Sequence, residues 1–115
     1  MQPVVIKAVA EAQFGQSVAV GKPLGEVIAH TRSAGEHNLE GAEAVTGIWE
    51  CTPGTFRREV MQAEYSYIIS GEGSFTPDQG EALEFRAGDT LCFPPNSEGT
   101  WVVRQTLRKS YVIFG

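Results

Sequence analysis

Glu64 heads a segment, Glu64-Tyr-Ser-Tyr-Ile-Ile-Ser70, in which polar and apolar side chains alternate. Successive side chains of a strand point to opposite faces, so Glu64, Ser66 and Ile68 share one face and Tyr65, Tyr67 and Ile69 the other. A carboxylate in a partly dry place has its pKa raised by desolvation, which makes a general base, unless a cation compensates and the two form an ion pair. Glu64 is therefore the candidate catalytic residue, and an ion pair with Arg58 or Lys109 is the alternative. Cys51 and Cys92 sit in apolar runs outside any close-spaced framework and read as reduced core thiols, not nucleophiles. His30 and His37 lie seven apart in an unpatterned stretch and read as surface or loop histidines. Trp49 reads as core packing with its indole N–H satisfied. Glu50, between Trp49 and Cys51, faces the other way and is solvent-facing if Trp49 is interior.

The elements that must position these residues are short strands. Strand-length segments fall at 4–8, 17–20, 26–29, 46–52, 55–60, 64–70, 73–76, 82–85, 90–93, 100–105 and 110–114. Turn compositions punctuate them at Gly21-Lys-Pro23, Pro53-Gly54, Gly71-Glu-Gly73, Pro77-Asp-Gln-Gly80, Ala87-Gly-Asp89 and Pro94-Pro-Asn96. Helical periodicity is nearly absent, and the spacing is that of an all-β sandwich or barrel. Residues 31–44 are polar and small without a period, and read as a connection or short helical turn.

Composition narrows the function classes. A chain of 115 residues, 42% hydrophobic and 20% charged, suits one packed domain that needs no disulfide or structural metal. Fourteen acids against nine bases give a net charge of −5 with no basic stripe, so nucleic acid is not an expected partner. No basic start precedes an apolar stretch and no window approaches ~18 uninterrupted apolar residues, so neither a signal peptide nor a membrane span is expected, and the expected location is cytoplasmic.

From about residue 45 the chain resembles a known group. Its residues are Gly47-Ile-Trp-Glu-Cys-Thr-Pro-Gly-Thr-Phe56, Glu64-Tyr-Ser-Tyr-Ile-Ile-Ser-Gly-Glu-Gly73, Gly88-Asp-Thr-Leu-Cys-Phe-Pro-Pro-Asn96, Gly99-Thr-Trp101 and Leu107-Arg-Lys109. They are similar to the small cupins named for the (S)-ureidoglycine aminohydrolase cupin domain. An acid followed after six residues by glycine, Glu64 to Gly71, and a glycine followed after five by proline, Gly88 to Pro94, look like the two cupin motifs. The resemblance implies a cupin jelly-roll β-barrel over residues 1–115, with 1–44 supplying N-terminal strands and a connection and 45–115 the motifs. It also implies that Glu64 faces the cavity, on a face grading from a wet mouth to a closed base.

Metal-binding cupins of similar pattern place two histidines just before the acid and a third shortly after the proline. Here those stretches read Phe56-Arg-Arg-Glu-Val-Met-Gln-Ala63 and Pro95-Asn-Ser-Glu-Gly-Thr-Trp101, with no histidine. An arginine near the ligand position repels a cation, and one carboxylate is too few ligands for a tight site. No metal or other cofactor is therefore expected, a divalent ion on non-histidine ligands being the alternative. The candidate ligand-binding residues are Arg58, Glu64, Ser66, Trp101 and Lys109. Trp101 lies close to where the third histidine would be, and Lys109 resembles a family-typical lysine that binds a carboxylate or caps a sheet edge.

The expected function is a small-molecule-binding cupin that selects a small polar or carboxylated metabolite. A metal-assisted hydrolase of the ureidoglycine aminohydrolase type and a metal-free isomerase or epimerase with Glu64 as base are the alternatives, and fold alone does not choose among them. A homodimer is expected, by analogy and because the run Val4-Val-Ile6 makes a ready apolar edge strand.

Overall fold

The computed structural model describes residues 2–7 and 13–115. Nine strands and no helix occur among them: β1 Val18–Ala19, β2 Pro23–Leu24, β3 His30–Leu39, β4 Ala44–Cys51, β5 Gly54–Val60, β6 Glu64–Pro77, β7 Leu83–Arg86, β8 Thr90–Phe93 and β9 Ser97–Phe114. All pairings are antiparallel.

The two long strands, β6 and β9, organise the barrel. One edge of β9 pairs with β5 through its first half and with β4 through its second, while its other edge runs along β6. The far edge of β6 pairs with β8 near its start and with β7 near its end. Register shifts between Ile68 and Gly73 break the β6–β9 ladder midway, so both strands bend there and pass from one layer to the other. One layer is β1-β3-β4-β9-β6-β8 and the other β2-β5-β9-β6-β7. This is an all-β barrel, as the strand spacing predicts, in the jelly-roll form that the cupin resemblance implies.

Gly71 stands at that bend with φ +91, and a Cβ there would collide with the Thr106 carbonyl and lie 2.8 Å from Leu107 Cα. Only glycine tolerates both the left-handed backbone and the close approach. The segments 64–70 and 73–76, expected as two strands separated by a turn, are thus one bent strand, and 100–105 and 110–114 are likewise parts of β9.

Between the layers lies an aromatic core centred on Trp101, which is fully buried. Phe85, Trp49, Phe75, Phe93 and Phe56 surround it with ring centroids 5.4, 5.7, 6.0, 6.0 and 6.3 Å away, mostly tilted or edge-on as aromatic quadrupoles prefer.

Three N-terminal expectations are corrected. Residues 31–44 are not a connection: residues 30–39 form β3, because pairing with the buried β4 and the Arg32–Glu50 contact outweigh weak local propensity. Residues 26–29 form no strand and instead bring Ala29 into the core, packed against Gly54. The described part of 4–8 carries no strand, and Ala8 lies outside the described residues.

Candidate functional site

The face of β6 that carries Glu64, Ser66 and Ile68 points inward, as alternation requires, with exposures of 4%, 0% and 0%. The expected gradient from a wet mouth to a closed base is therefore absent, since Glu64 is already buried. Arg58 reaches it from β5 and Lys109 from β9. Arg58 Nη2 donates to Glu64 Oε1 at 2.9 Å, Lys109 Nζ to Oε2 at 2.6 Å, and Ser66 Oγ to Oε2 at 2.9 Å. Lys109 lies within β9 and is 1% exposed, so it does not cap a sheet edge as a surface charge.

The tryptophans wall this cluster. Lys109 Nζ lies 4.8 Å from the Trp49 ring centroid and 5.2 Å from that of Trp101, and the Arg58 guanidinium carbon lies 5.7 and 5.4 Å from the same two rings. Cation–π attraction supplies part of the solvation that both cations lose on burial.

Burial pushes the Glu64 carboxyl up, but the charges of Lys109 and Arg58 and the bonds from Lys109 and Ser66 outweigh it, and its pKa is lowered. Of the two readings of Glu64, this geometry gives the ion pair. Burial, reinforced by the Arg58 charge and partly offset by Glu64, brings Lys109 down to about 8. Burial pushes the Cys51 thiol up to about 12, so it stays protonated beside the cations. Cys92 is exposed on the opposite face from Leu91 and Phe93, which corrects its reading as a core thiol.

Two donors at the cluster are left over. Arg58 Nη1 is buried and has no hydrogen-bond partner, and neither does the buried indole Nε1 of Trp101. Buried donors are almost always satisfied, so two orphans around one ion pair call for an acceptor. A cavity of about 350 Å³ reaches Arg58 from the surface between Lys22, Trp49 and Phe56. Trp101 lies behind its wall and does not line it. A larger cavity of about 440 Å³, lined by Phe75, Leu83, Leu91 and Phe93, shares no residue with the Glu64 cluster.

The five candidate ligand-binding residues, Arg58, Glu64, Ser66, Trp101 and Lys109, thus come together. Tyr111 was missed. It is 8% exposed, and its hydroxyl lies 2.7 Å from where a Cβ on residue 47 would sit, so Gly47 makes room for it. Burial, with Glu36 as hydrogen-bond acceptor and the Glu64 charge nearby, raises its pKa. The signal was available, because Tyr111 is two residues beyond Lys109 and so shares its face.

Glu50 does face away from Trp49, but it is not solvent-facing. Arg32 Nε donates to its Oε1 at 2.7 Å and Arg108 Nη2 to its Oε2 at 2.6 Å, and both guanidinium groups lie over the Phe14 ring, 4.0 and 4.8 Å from its centroid. Burial pushes the Glu50 carboxyl up, and the hydrogen bonds and charges of the two arginines bring it lower. Trp49 is half-buried, packing on the core while lining the cavity.

The residues around Glu64 do not fit a divalent cation, since both carboxylate oxygens already accept from cationic groups. No three His, Cys, Asp or Glu converge among the described residues, and His30 and His37 lie on β3.

A bent double-layer barrel with a buried motif-1 acid defines a cupin. The sequence matches the model of the EutQ-like cupin domain over residues 39–111, and the chain belongs to that family. No curated protein matches it. Its fold is similar to that of the Clostridium difficile EutQ protein, at 23% identity over 76% of this chain and 68% of that one, with a TM-score of 0.63. A DUF861-family protein of unknown function from Pseudomonas syringae pv. tomato superposes with a TM-score of 0.78 at 18% identity, over 94% of this chain. This chain spans 46% of that protein's length. Ectoine synthase from P. lautus shares the fold at 19% identity, over 73% of this chain and 63% of that one, with a TM-score of 0.62.

Proposed function

We propose that this cupin binds a small carboxylate-bearing metabolite at Arg58, without a metal. The observation that carries the reading is the unpartnered Arg58 Nη1, buried in a cluster that sets two cations against one carboxylate. A second carboxylate, brought by the ligand, would balance that charge and match the planar donor fork of the guanidinium. The cavity that reaches Arg58 is at the small end of metabolite sites, which run from ~300 Å³ upward.

Binding is favoured over catalysis because Glu64 makes a poor base: two cations hold its pKa down, and both its oxygens are engaged. The same engagement argues against the metal-assisted hydrolysis implied by the ureidoglycine aminohydrolase resemblance, although a ureido acid stays within the ligand class. A cytoplasmic location and a homodimer belong to the reading as well. The free cysteines accord with the first, and the exposed Val5, Tyr65 and Tyr67 with the second.

A thermal-shift panel tests the binding. Acetate, glycolate and succinate are compared with chloride at equal ionic strength and with neutral glycerol and urea. Stabilisation by at least one carboxylate and by no neutral solute is expected, since a ligand of the folded state raises the midpoint by mass action. A shift given only by manganese, zinc, nickel or iron, or by no carboxylate, overturns the reading.

A further inference from the structure

Strand β8 is an open edge. Its only ladder among the described residues is with β6, and bonded positions alternate along an antiparallel pair. Ile68 N–H donates to the carbonyl of Asp89, just before β8, so the pairs Ser66 with Leu91 and Glu64 with Phe93 fall at bonded positions too. Cys92 lies between them and therefore turns its N–H and C=O away from β6. Among the described residues no group takes these two up.

The cavity of about 440 Å³ opens along that edge, and its volume is that of a small-molecule site, which runs from ~300 to ~1,000 Å³. Phe75, Leu91 and Phe93 line it and are buried, so they form its floor, while the half-exposed Leu83 stands at its lip. Cys92 lines it as well, although its side chain is on the other face of β8 from Leu91 and Phe93. What the cavity meets is thus the main chain of Cys92.

Three features set the chemistry of a guest. The apolar floor takes a hydrocarbon body. No basic residue lines the cavity, and the rim carboxylates Asp78, paired with Arg57, and Glu98 disfavour an anion. The N–H and C=O of one extended residue point the same way, so they call for an acceptor and a donor side by side on the guest. A lactam or a primary carboxamide presents that pair, whereas a trans secondary amide sets the two on opposite sides. Pro94 follows without an N–H, so the free pair within the cavity is one residue long and suits a small molecule, not a full added strand.

We propose that this cavity is a second binding site, for a small uncharged lactam or primary carboxamide with a hydrocarbon body, held by the main chain of Cys92. The site is independent of the carboxylate reading at Arg58.

The test titrates isotope-labelled protein with ε-caprolactam, N-methylcaprolactam and cycloheptanone, which keep one ring size but lose first the donor and then the amide. Caprolactam is expected to move the Cys92 amide resonance saturably and to bind roughly fivefold more tightly than either analogue, the worth of one hydrogen bond. Cys92→Pro removes the free N–H without breaking a ladder bond, since proline is tolerated on an edge, and should abolish the preference. Leu83→Glu, at an exposed position, should weaken binding of all three probes, and Cys92→Ser, whose side chain faces away, should bind as the native chain does. Equal binding of the three probes, or a Cys92 resonance that none of them moves, overturns the proposal and leaves the carboxylate reading intact. Arg58→Gln, which tests that reading, should leave caprolactam binding unchanged.

Discussion

Lys109 Nζ lies 2.6 Å from Glu64 Oε2 with both side chains only 2% exposed, and Arg58 holds the other carboxylate oxygen. The ion pair is therefore lopsided, since Glu64 has two cationic partners and each cation has one carboxylate.

Removing the two ends of the pair has unequal consequences. Glu64→Gln strands Lys109 beside Arg58 in the interior, and truncating one partner of a buried pair typically costs about 3–5 kcal/mol. Lys109→Met leaves Glu64 bonded to Arg58 and Ser66, so it costs less, and combining it with Glu64→Gln recovers part of the loss. Urea denaturation of the three variants measures the asymmetry, and equal losses for the two single variants would contradict it.

The same groups set the pH dependence. Glu64 and Glu50 have folded pKa values below their ordinary 4.5, so their contribution is complete above that value and is lost as pH falls through the folded values. Lys109 acts in the same direction on the alkaline side. Its folded pKa of about 8 lies below its ordinary 10.5, so the unfolded chain binds more protons between those values and this group's contribution rises with pH across them. Unfolding free energies should show an acid decline, and an alkaline increment that Lys109→Met lacks.

Two motif glycines serve different ends. Gly71→Ala drives a Cβ into the backbone at Thr106 and Leu107, which cannot swing away, and should cost roughly 3 kcal/mol or more. Gly88 also has a positive φ, +95, but open space around it, so Gly88→Ala should cost only about 1–2 kcal/mol of backbone strain. Denaturation midpoints that rank the variants the other way would refute the bend assigned to Gly71.

The cysteines should separate cleanly. The exposed Cys92 should react with a thiol-specific disulfide reagent in the native protein, whereas Cys51, buried and raised to about 12, should react only on unfolding. Two equivalents titrating rapidly under native conditions would contradict this placement.

What the sequence disclosed depended on local periodicity. The alternation of 64–70 placed Glu64, Ser66 and Ile68 on one inward face, and the motif spacings named the barrel. Contacts between distant segments were not legible. β3 becomes a strand through its pairing with β4, 14 to 20 residues along the chain at the matched positions Ala34 with Ile48 and Thr31 with Cys51. Glu50 is sheltered by Arg108, 58 residues away, and by Phe14 beneath the two arginines. For Lys109 the residues left open a pair with Glu64, a ligand carboxylate or a sheet-edge cap, and only the contact across 45 residues chooses the buried pair. The unpartnered Arg58 nitrogen emerges only from a complete hydrogen-bond account.

The central claim, an anion site at Arg58 beside Trp101, is tested most directly on the indole N–H resonances. The protein has two tryptophans, so two signals are expected, and Trp101→Phe assigns them. Titration with sodium acetate, succinate and benzoate should move the Trp101 signal saturably with at least one of them. Sodium chloride at equal ionic strength should leave it in place, and Arg58→Gln should abolish the movement. A Trp101 signal that none of the three carboxylates moves, or one that moves unchanged in Arg58→Gln, would contradict the account.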